Sequence, residues 1–391
     1  MSIKSRWTEF RLGIRPALDE LKFTMRQIRK SPLSIVGIVI IGTFAAIAIL
    51  APVLAHPITS DPFMMFHDGY SQIPLPPGTN VSDSYVVSKG WIVHYFGMAQ
   101  GGLDIYYGCI WGTQTAFRIG MLVVAISLAV GLLTGCLAGY YGGVIDEVLM
   151  RFTDIILAFP GLILAMALVI ALPAVWSIDF GFIGLAIAIF LGLILVGRSK
   201  KLRLTGIWPF MLGLLGLVIF VIVDTYALGM PYPIFVRGVT LGALDKVLIA
   251  LALVGWPGYT RVIRGEILRV RQEDYVEASK AVGCSDLRII VRHIMPNTIY
   301  PVVIMASLDI GAVVLLAAAL SFLGIGAPVG YADWGQMISL ARNWIYSGAA
   351  NPWQYWYTYM IPGIFIFVFV LGWNLLGDAF RDILDPTLRR K

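Results

Sequence analysis

The sequence is poor in charged residues, cysteine and histidine. Only 13% of its 391 residues are Asp, Glu, Lys or Arg, whereas a soluble domain carries about 25%. Its 3 cysteines and 4 histidines are too few and too scattered for a disulfide framework or a zinc site, and no HExxH motif is present. The phosphate-binding pattern GxxxxGK[ST] is also absent, so the chain does not supply an ATP site itself.

Hydrophobic residues make up 58% of the chain and form several long runs. A helix needs about 20 apolar residues to cross a hydrocarbon core of about 30 Å, and no barrel-like alternation occurs. We therefore predict an all-α membrane protein with about eight transmembrane helices. Their predicted bounds are 33–54, 117–137, 149–172, 180–197, 207–228, 244–259, 298–323 and 357–376.

Two details of these spans lead to specific expectations. Gly131, Gly135 and Gly139 lie four residues apart, which either lets another helix approach closely or reflects the general abundance of glycine in membrane helices. Pro160 lies inside the third span and predicts a kink there.

The basic residues predict the orientation, because they collect on the cytoplasmic side of membrane proteins. With a cytoplasmic tail at 1–32, an extracytoplasmic loop at 55–114 and a cytoplasmic tail at 377–391, 24 of the 29 basic residues fall inside. The segment 115–376 then holds the other spans, the turn RSKKLR and a long inner loop. This asymmetry explains the net charge of +6 without nucleic acid.

The long inner loop, residues 261–297, is called the charged loop below. It holds 7 basic and 5 acidic residues, and a charge at the membrane centre costs at least ~2.5–3.5 kcal/mol, so it lies outside the bilayer. After Gly283, Ser285 is a candidate N-cap for a short helix at 286–295, which Pro296 ends. Its predicted apolar face consists of Leu287, Ile290, Val291 and Ile294. Such a helix either fits a groove of a partner protein or rests on the lipid surface.

Asp154, Asp224 and Asp309 are acidic residues within or near predicted spans, and two of them are site candidates. Asp154 lies near the inner end of the third span and Asp309 lies in the seventh. Each is a candidate pathway residue or a structural polar residue. For Asp154 we favour the structural interpretation, in which it lies at the headgroup level or bonds to a neighbouring helix.

Several motifs carry a resemblance to a known family. The triplet Glu277-Ala278-Ser279, the following Gly283 and the run HIMPN at 293–297 resemble the EAA loop of ABC importer permeases. The motifs DEVLMRFTDIILAFPGLILA, LSFLGIGAP and NLLGDAFRDILDPTLR extend the resemblance over most of the chain. The chain most resembles the second, C-type permease of the dipeptide, oligopeptide and nickel importers.

This resemblance implies a type I ABC importer transmembrane domain with a six-helix core. The segment at about 180–228 would be an inserted two-helix hairpin. In the family, the short helix after the glycine docks in a groove of a cytoplasmic ATPase and couples ATP use to opening of the pathway. The coupling residues carried over are Glu277, Ala278, Gly283, Leu287, Arg288, Ile290, Pro296 and Asn297.

The resemblance also implies the partners and the location. They are a second homologous permease, two ATPases that use ATP, an extracytoplasmic substrate-binding protein and the bilayer of a prokaryotic cell membrane. The chain itself would bind no cofactor and no metal. Peptide is the default cargo, with oligosaccharide and nickel as alternatives. A polytopic membrane enzyme is a distant alternative, since no cluster of nucleophiles, paired acids or metal ligands is evident.

The sequence departs from the family pattern at several positions. Leu103 stands between Gly102 and Asp104 where the family usually has a basic residue. The run Ala317-Ala318-Ala319 replaces a segment that often contains Glu, and Asp309 is the acidic residue left in that span. Ser279 replaces the final alanine of the EAA triplet, a small-for-small change.

Overall fold

The computed structural model describes residues 31–69, 71–172, 175–176, 239–347 and 353–384. These residues are mostly helical, which confirms the predicted class. Within them, five helices are long and apolar enough to cross a membrane, or six if one bent pair counts as a span. The predicted hairpin at 180–228, the tail at 1–30 and residues 385–391 lie outside the described residues.

The helices are numbered here in chain order. They are α1 (Pro32–Leu54), α2 (Ser84–Ser88), α3 (Ile105–Tyr141), α4 (Gly143–Leu157), α5 (Gly161–Ala171), α6 (Ala243–Val270), α7 (Asp274–Ala281), α8 (Asp286–Ile289), α9 (Met295–Phe322), α10 (Trp334–Ala341), α11 (Trp344–Ser347) and α12 (Trp356–Leu384). A π-helical turn, Ile290–Ile294, joins α8 to α9.

The described strands form three two-stranded antiparallel pairs. Strand β1 (Thr79–Asn80) pairs with β2 (Val93–His94), and β3 (Met98–Ala99) pairs with β4 (Leu103–Asp104). Strand β5 (Val175–Trp176) pairs with β6 (Val239–Thr240) in a smaller unit, Pro173–Gly242. The first two pairs belong to the segment 55–104, which is called the cap below.

The centre of the main body is the close packing of α3 against α6. Gly135 and Gly139 face Ile263 and Ile267, and a Cβ added to either glycine would lie 2.9 Å from the isoleucine Cβ. Gly131 faces Tyr259 in the same way, and the three α6 side chains are almost completely buried. The glycines thus let the two backbones approach closely, which confirms the packing alternative for this stripe.

The predicted third span differs from the structure. Instead of one kinked helix at 149–172, α4 and α5 meet at an angle of 92°. Pro160 precedes α5 with an extended backbone (φ −58°, ψ 122°), and its ring cannot occupy the interior of a regular helix. The position of the bend was predicted correctly, and its size was not.

Other predicted boundaries move because helices continue beyond the apolar runs. Helix α3 begins at Ile105, inside the predicted loop 55–114, because the Asp104 carboxylate accepts a hydrogen bond from the Tyr107 backbone N–H at 2.6 Å. Helix α6 runs on to Val270 and α12 to Leu384. The continuation of α6 past its apolar span makes the beginning of the charged loop helical.

The cap is held together by a buried histidine between two carboxylates. The His94 Nδ1 lies 2.5 Å from Asp104 Oδ2, and its Nε2 lies 3.0 Å from Asp68 Oδ2. Both imidazole nitrogens are then donors, which requires the charged form. Burial opposes this charge, but the two carboxylates outweigh burial and raise the pKa of His94 above its usual 6.5. Around it, Phe66, Trp91 and Tyr107 pack ring against ring.

Candidate functional site

The charged loop consists of α7, a bend at Gly283 and the beginning of the next long helix. Gly283 has φ +82°, a conformation that L side chains rarely adopt, and a Cβ there would meet open space. The bend directs the chain from the end of α7 into α8. The glycine is therefore required by the backbone conformation, not by a crowded neighbour.

The structure contradicts the prediction that Pro296 ends a short helix. Residues Asp286–Phe322 form one helix of 37 residues that passes through Pro296. Immediately before α9, Ile290–Ile294 form a π-helical turn, in which the Met295 N–H donates to the Ile290 carbonyl. Pro296 thus stands in the first turn of the following α-helical stretch, where its missing N–H leaves no bond unmade. The charged loop therefore continues into the membrane helix α9 through the π-helical turn.

The predicted apolar face is also wrong, because its four members point in two directions. Ile290 and Ile294 are buried within the chain, whereas the Leu287 side chain is 72% exposed and Val291 is 55% exposed. Ile289 takes the buried position beside Ile290. The wider π turn breaks the 3.6-residue period on which the prediction depended.

Several exposed side chains lie between the end of α7 and the π turn. Val282, at the end of α7, is 83% exposed, and Leu287 and Arg288 follow across the Gly283 bend, both exposed. Large apolar side chains next to a cation on a polar loop are typical of a surface that contacts another protein. We call Val282, Leu287, Arg288 and Val291 the exposed loop surface.

The loop is attached to the end of α3 through Tyr140. The Tyr140 hydroxyl donates to Asp286 Oδ1 at 2.6 Å, and Arg271 Nη1 donates to the Tyr140 carbonyl at 2.8 Å. The Lys280 ammonium lies 5.5 Å from the centre of the Tyr140 ring. Ser285 is the N-cap of α8, as predicted, and has the extended backbone of that position, although its side chain makes no capping hydrogen bond.

The remaining predicted loop residues lie on the same segment. Glu277 is in the first turn of α7, and the Ala278 carbonyl accepts the Val282 N–H at 3.1 Å at its end. The Asn297 amide donates to the His293 carbonyl at 2.7 Å, one turn back on the same helix. The structure thus brings the eight predicted loop residues into one segment, with Ile290 inside it and the others at or near its surface.

Asp154 and Asp309 have different surroundings and do not share a site. Asp154 Oδ1 lies 2.5 Å from Arg261 Nη2, and nearby Asp146 forms two hydrogen bonds of 2.5 and 2.6 Å with Arg264. These pairs connect α4 to α6, in line with the structural interpretation of Asp154. Asp309 is half-buried in α9 and lies beside Tyr259 of α6.

Comparison with known proteins identifies the family. Residues 131–390 match the family model described as binding-protein-dependent transport system inner membrane component. Residues 21–77 match the N-terminal TM domain of oligopeptide transport permease C. The chain belongs to this permease family. It is a multi-pass membrane component of an ABC transporter, and the family is not an enzyme class.

Individual relatives cover three quarters or more of the chain. The dipeptide transport system permease protein of Alkalihalophilus pseudofirmus is 30% identical over 95% of this chain and 92% of its own length. The oligopeptide transport system permease protein of Bacillus subtilis is 25% identical over 96% and 92%. A glutathione transport system permease protein of Escherichia coli is 30% identical over 76% and 73%.

Sequence reasoning missed the residues that fix the loop from within. Tyr140 and Arg271 act through contacts with residues more than a hundred positions away, and no local period predicts such contacts. The sequence held one signal for Tyr140, which directly follows the last glycine of the stripe that packs on α6.

Proposed function

We propose that this chain is one of two permease subunits of a peptide importer and that the charged loop receives force from a cytoplasmic ATPase. The observation that carries the proposal is the exposed loop surface on a segment that continues into α9 as a single helix. A partner that contacts Leu287 or Val291 would push on a segment that is helically continuous with α9. Peptide cargo is supported by the dipeptide and oligopeptide permeases among the relatives.

The proposed topology has eight spans with both termini in the cytoplasm. Six come from the described helices, with the bent pair as one span, and two come from the apolar hairpin at about 180–228, which interrupts a six-helix family core. The charged loop is then cytoplasmic, the loop 55–114 with the cap is extracytoplasmic, and 24 of the 29 basic residues fall inside.

The proposed roles of the loop residues follow from their burial and backbone. Leu287 and Arg288 contact the ATPase, with Val282 and Val291 beside them. Ile290 lies in the core under this surface and keeps it in position. Glu277 and Ala278 belong to the helix before the bend, Gly283 makes the bend, and Pro296 and Asn297 follow the π turn at the entry to α9.

The other components follow from the same proposal. A second homologous permease completes the pathway, two ATPases bind and hydrolyse ATP, and an extracytoplasmic binding protein delivers the peptide. This chain holds no cofactor of its own. This chain converts movement of the charged loop into movement of α6, which leads into the loop, and of α9, which follows it.

Replacement of Gly283 by valine tests this proposal. At φ +82° a β-branched residue is strongly strained, so the bend should change and the exposed loop surface should move. A left-handed residue costs roughly 1–2 kcal/mol, so we expect peptide uptake by the reconstituted transporter to fall by about tenfold. ATP hydrolysis should continue, because the ATP site lies on the partner.

Gly78→Val is the matched control. Gly78 has φ +85° and open space around an added Cβ, but it lies in the cap. It should therefore impose the same backbone strain without separating uptake from hydrolysis. Normal uptake in Gly283→Val, or equal uncoupling by both variants, would contradict the coupling role.

A further inference from the structure

Asp309 is an acidic residue within a membrane helix. It differs from Asp146 and Asp154 in its lack of an arginine partner among the described residues. Asp146 and Asp154 pair with arginines of α6, whereas Asp309 makes no ion pair with a basic side chain among the described residues. An unpaired charge at membrane depth costs at least ~2.5–3.5 kcal/mol, so such residues border water, protein or a ligand.

The hydroxyl of Tyr259 is the polar neighbour of Asp309. It is buried and lies within reach to donate to the Asp309 carboxylate, and the described residues provide Asp309 with no other side-chain donor. A carboxylate has about four acceptor positions, so one donor leaves most of them unfilled. A third polar group that donates to the carboxylate and to the hydroxyl oxygen would fill them.

The exposed side of α9 near Asp309 indicates where such a group would enter. Met305 and Ala312, four residues before and three after, lie on the same helix face, and they are half-buried and exposed respectively. A carboxylate on this face is incompatible with lipid contact. This face therefore borders either an aqueous space or another protein chain.

We infer that Asp309 and Tyr259 form a site within the translocation pathway for a cationic group of the cargo, such as the ammonium group of a peptide. An ammonium donates to both oxygens and neutralises the carboxylate. The two residues stand on α9 and α6, the helices joined by the charged loop. Loop movement would shift one helix against the other and change the affinity of the site. The inference rests on the proposed transport function.

Thiol labelling beside the site tests the inference without knowledge of the cargo. In the assembled transporter in proteoliposomes, Ala312→Cys is introduced with Cys284 replaced by serine, since Cys109 and Cys136 are buried. The probes are methanethiosulfonate ethyltrimethylammonium, a cation, and methanethiosulfonate ethylsulfonate, an anion. We expect both to react, the cation faster, with an Asp309→Asn exchange lowering the rate ratio by about three- to tenfold.

Val303→Cys, an exposed position on the opposite face of α9 from Ala312, is the control. Its rate ratio should not depend on Asp309. A thiol at position 312 that resists both reagents with and without ATP would overturn the pathway placement. A rate ratio unchanged by Asp309→Asn, or changed equally at position 303, would overturn the cation site. The labelling needs neither coupling nor peptide, so these outcomes are distinct from failure of the Gly283→Val test.

Discussion

The cap and the charged loop lie at opposite ends of α3, and their side chains are used in opposite ways. Helix α3 has 37 residues and so a length of about 55 Å. At the start of α3, the cap buries the Asp68 and Asp104 carboxylates and the Phe66 ring around His94. At its end, the loop is attached through Tyr140 but leaves Leu287 and Val291 exposed. The cap pairs its buried histidine with its own carboxylates, whereas the loop leaves apolar side chains exposed beside the exposed Arg288.

The largest expected effect comes from removing the centre of the cap. His94→Ala would leave the Asp68 and Asp104 carboxylates buried without a counter-charge. Breaking a buried pair in this way typically costs about 3–5 kcal/mol, so the Tm of the purified protein should fall strongly. His67→Ala is the control, because His67 is an exposed cap histidine with one hydrogen bond, to the Gly101 carbonyl. A similar small change in both would show that the cap does not depend on His94.

The pH dependence of protein stability tests whether His94 is charged between its two carboxylates. The folded-state pKa of His94 is raised above 6.5, so its stabilisation is complete below pH 6.5 and is lost as pH rises through the raised value. Despite burial, hydrogen bonds from His94 and from Ser82 and Asp83 lower the pKa of Asp68 below 3.8, so its contribution is lost only as pH falls through that lower value. The Tm difference between wild type and His94→Ala should therefore shrink as pH rises from about 6 to about 9. A constant difference would contradict a charged histidine.

A smaller effect is expected from a change in the packing of α3 against α6. Helix α3 is connected to the cap at its start and to the charged loop at its end. Gly135→Leu would push its side chain into Ile263 and the Thr260 carbonyl, 2.9 and 3.0 Å from an added Cβ. Overpacking of this kind costs about 1–3 kcal/mol. Gly42→Leu in α1 is the matched control, because nothing lies within 4 Å of its added Cβ. Equal Tm values for the two variants would show that the close approach carries no stability.

The features predicted from the sequence are those with a local signal. The glycine stripe, the bend at Pro160 and the break at Gly283 each depend on residues close together in the chain. The cap centre could not be predicted in this way, because Asp68 and Asp104 lie 26 and 10 positions from His94. Pro296 predicted the end of a helix, but the helix continues past it through the π turn. That turn also divided the apolar residues of 287–294 between core and surface.

Photo-crosslinking at Leu287 tests the central claim most directly. Leu287 is exchanged for p-benzoylphenylalanine in the assembled transporter, with Ile73, an exposed apolar residue of the cap, as the matched position. We expect illumination to join the chain to the ATPase subunit from position 287 and not from position 73. No ATPase adduct at position 287, or an equal adduct at position 73, would contradict the claim that the exposed loop surface receives the ATPase.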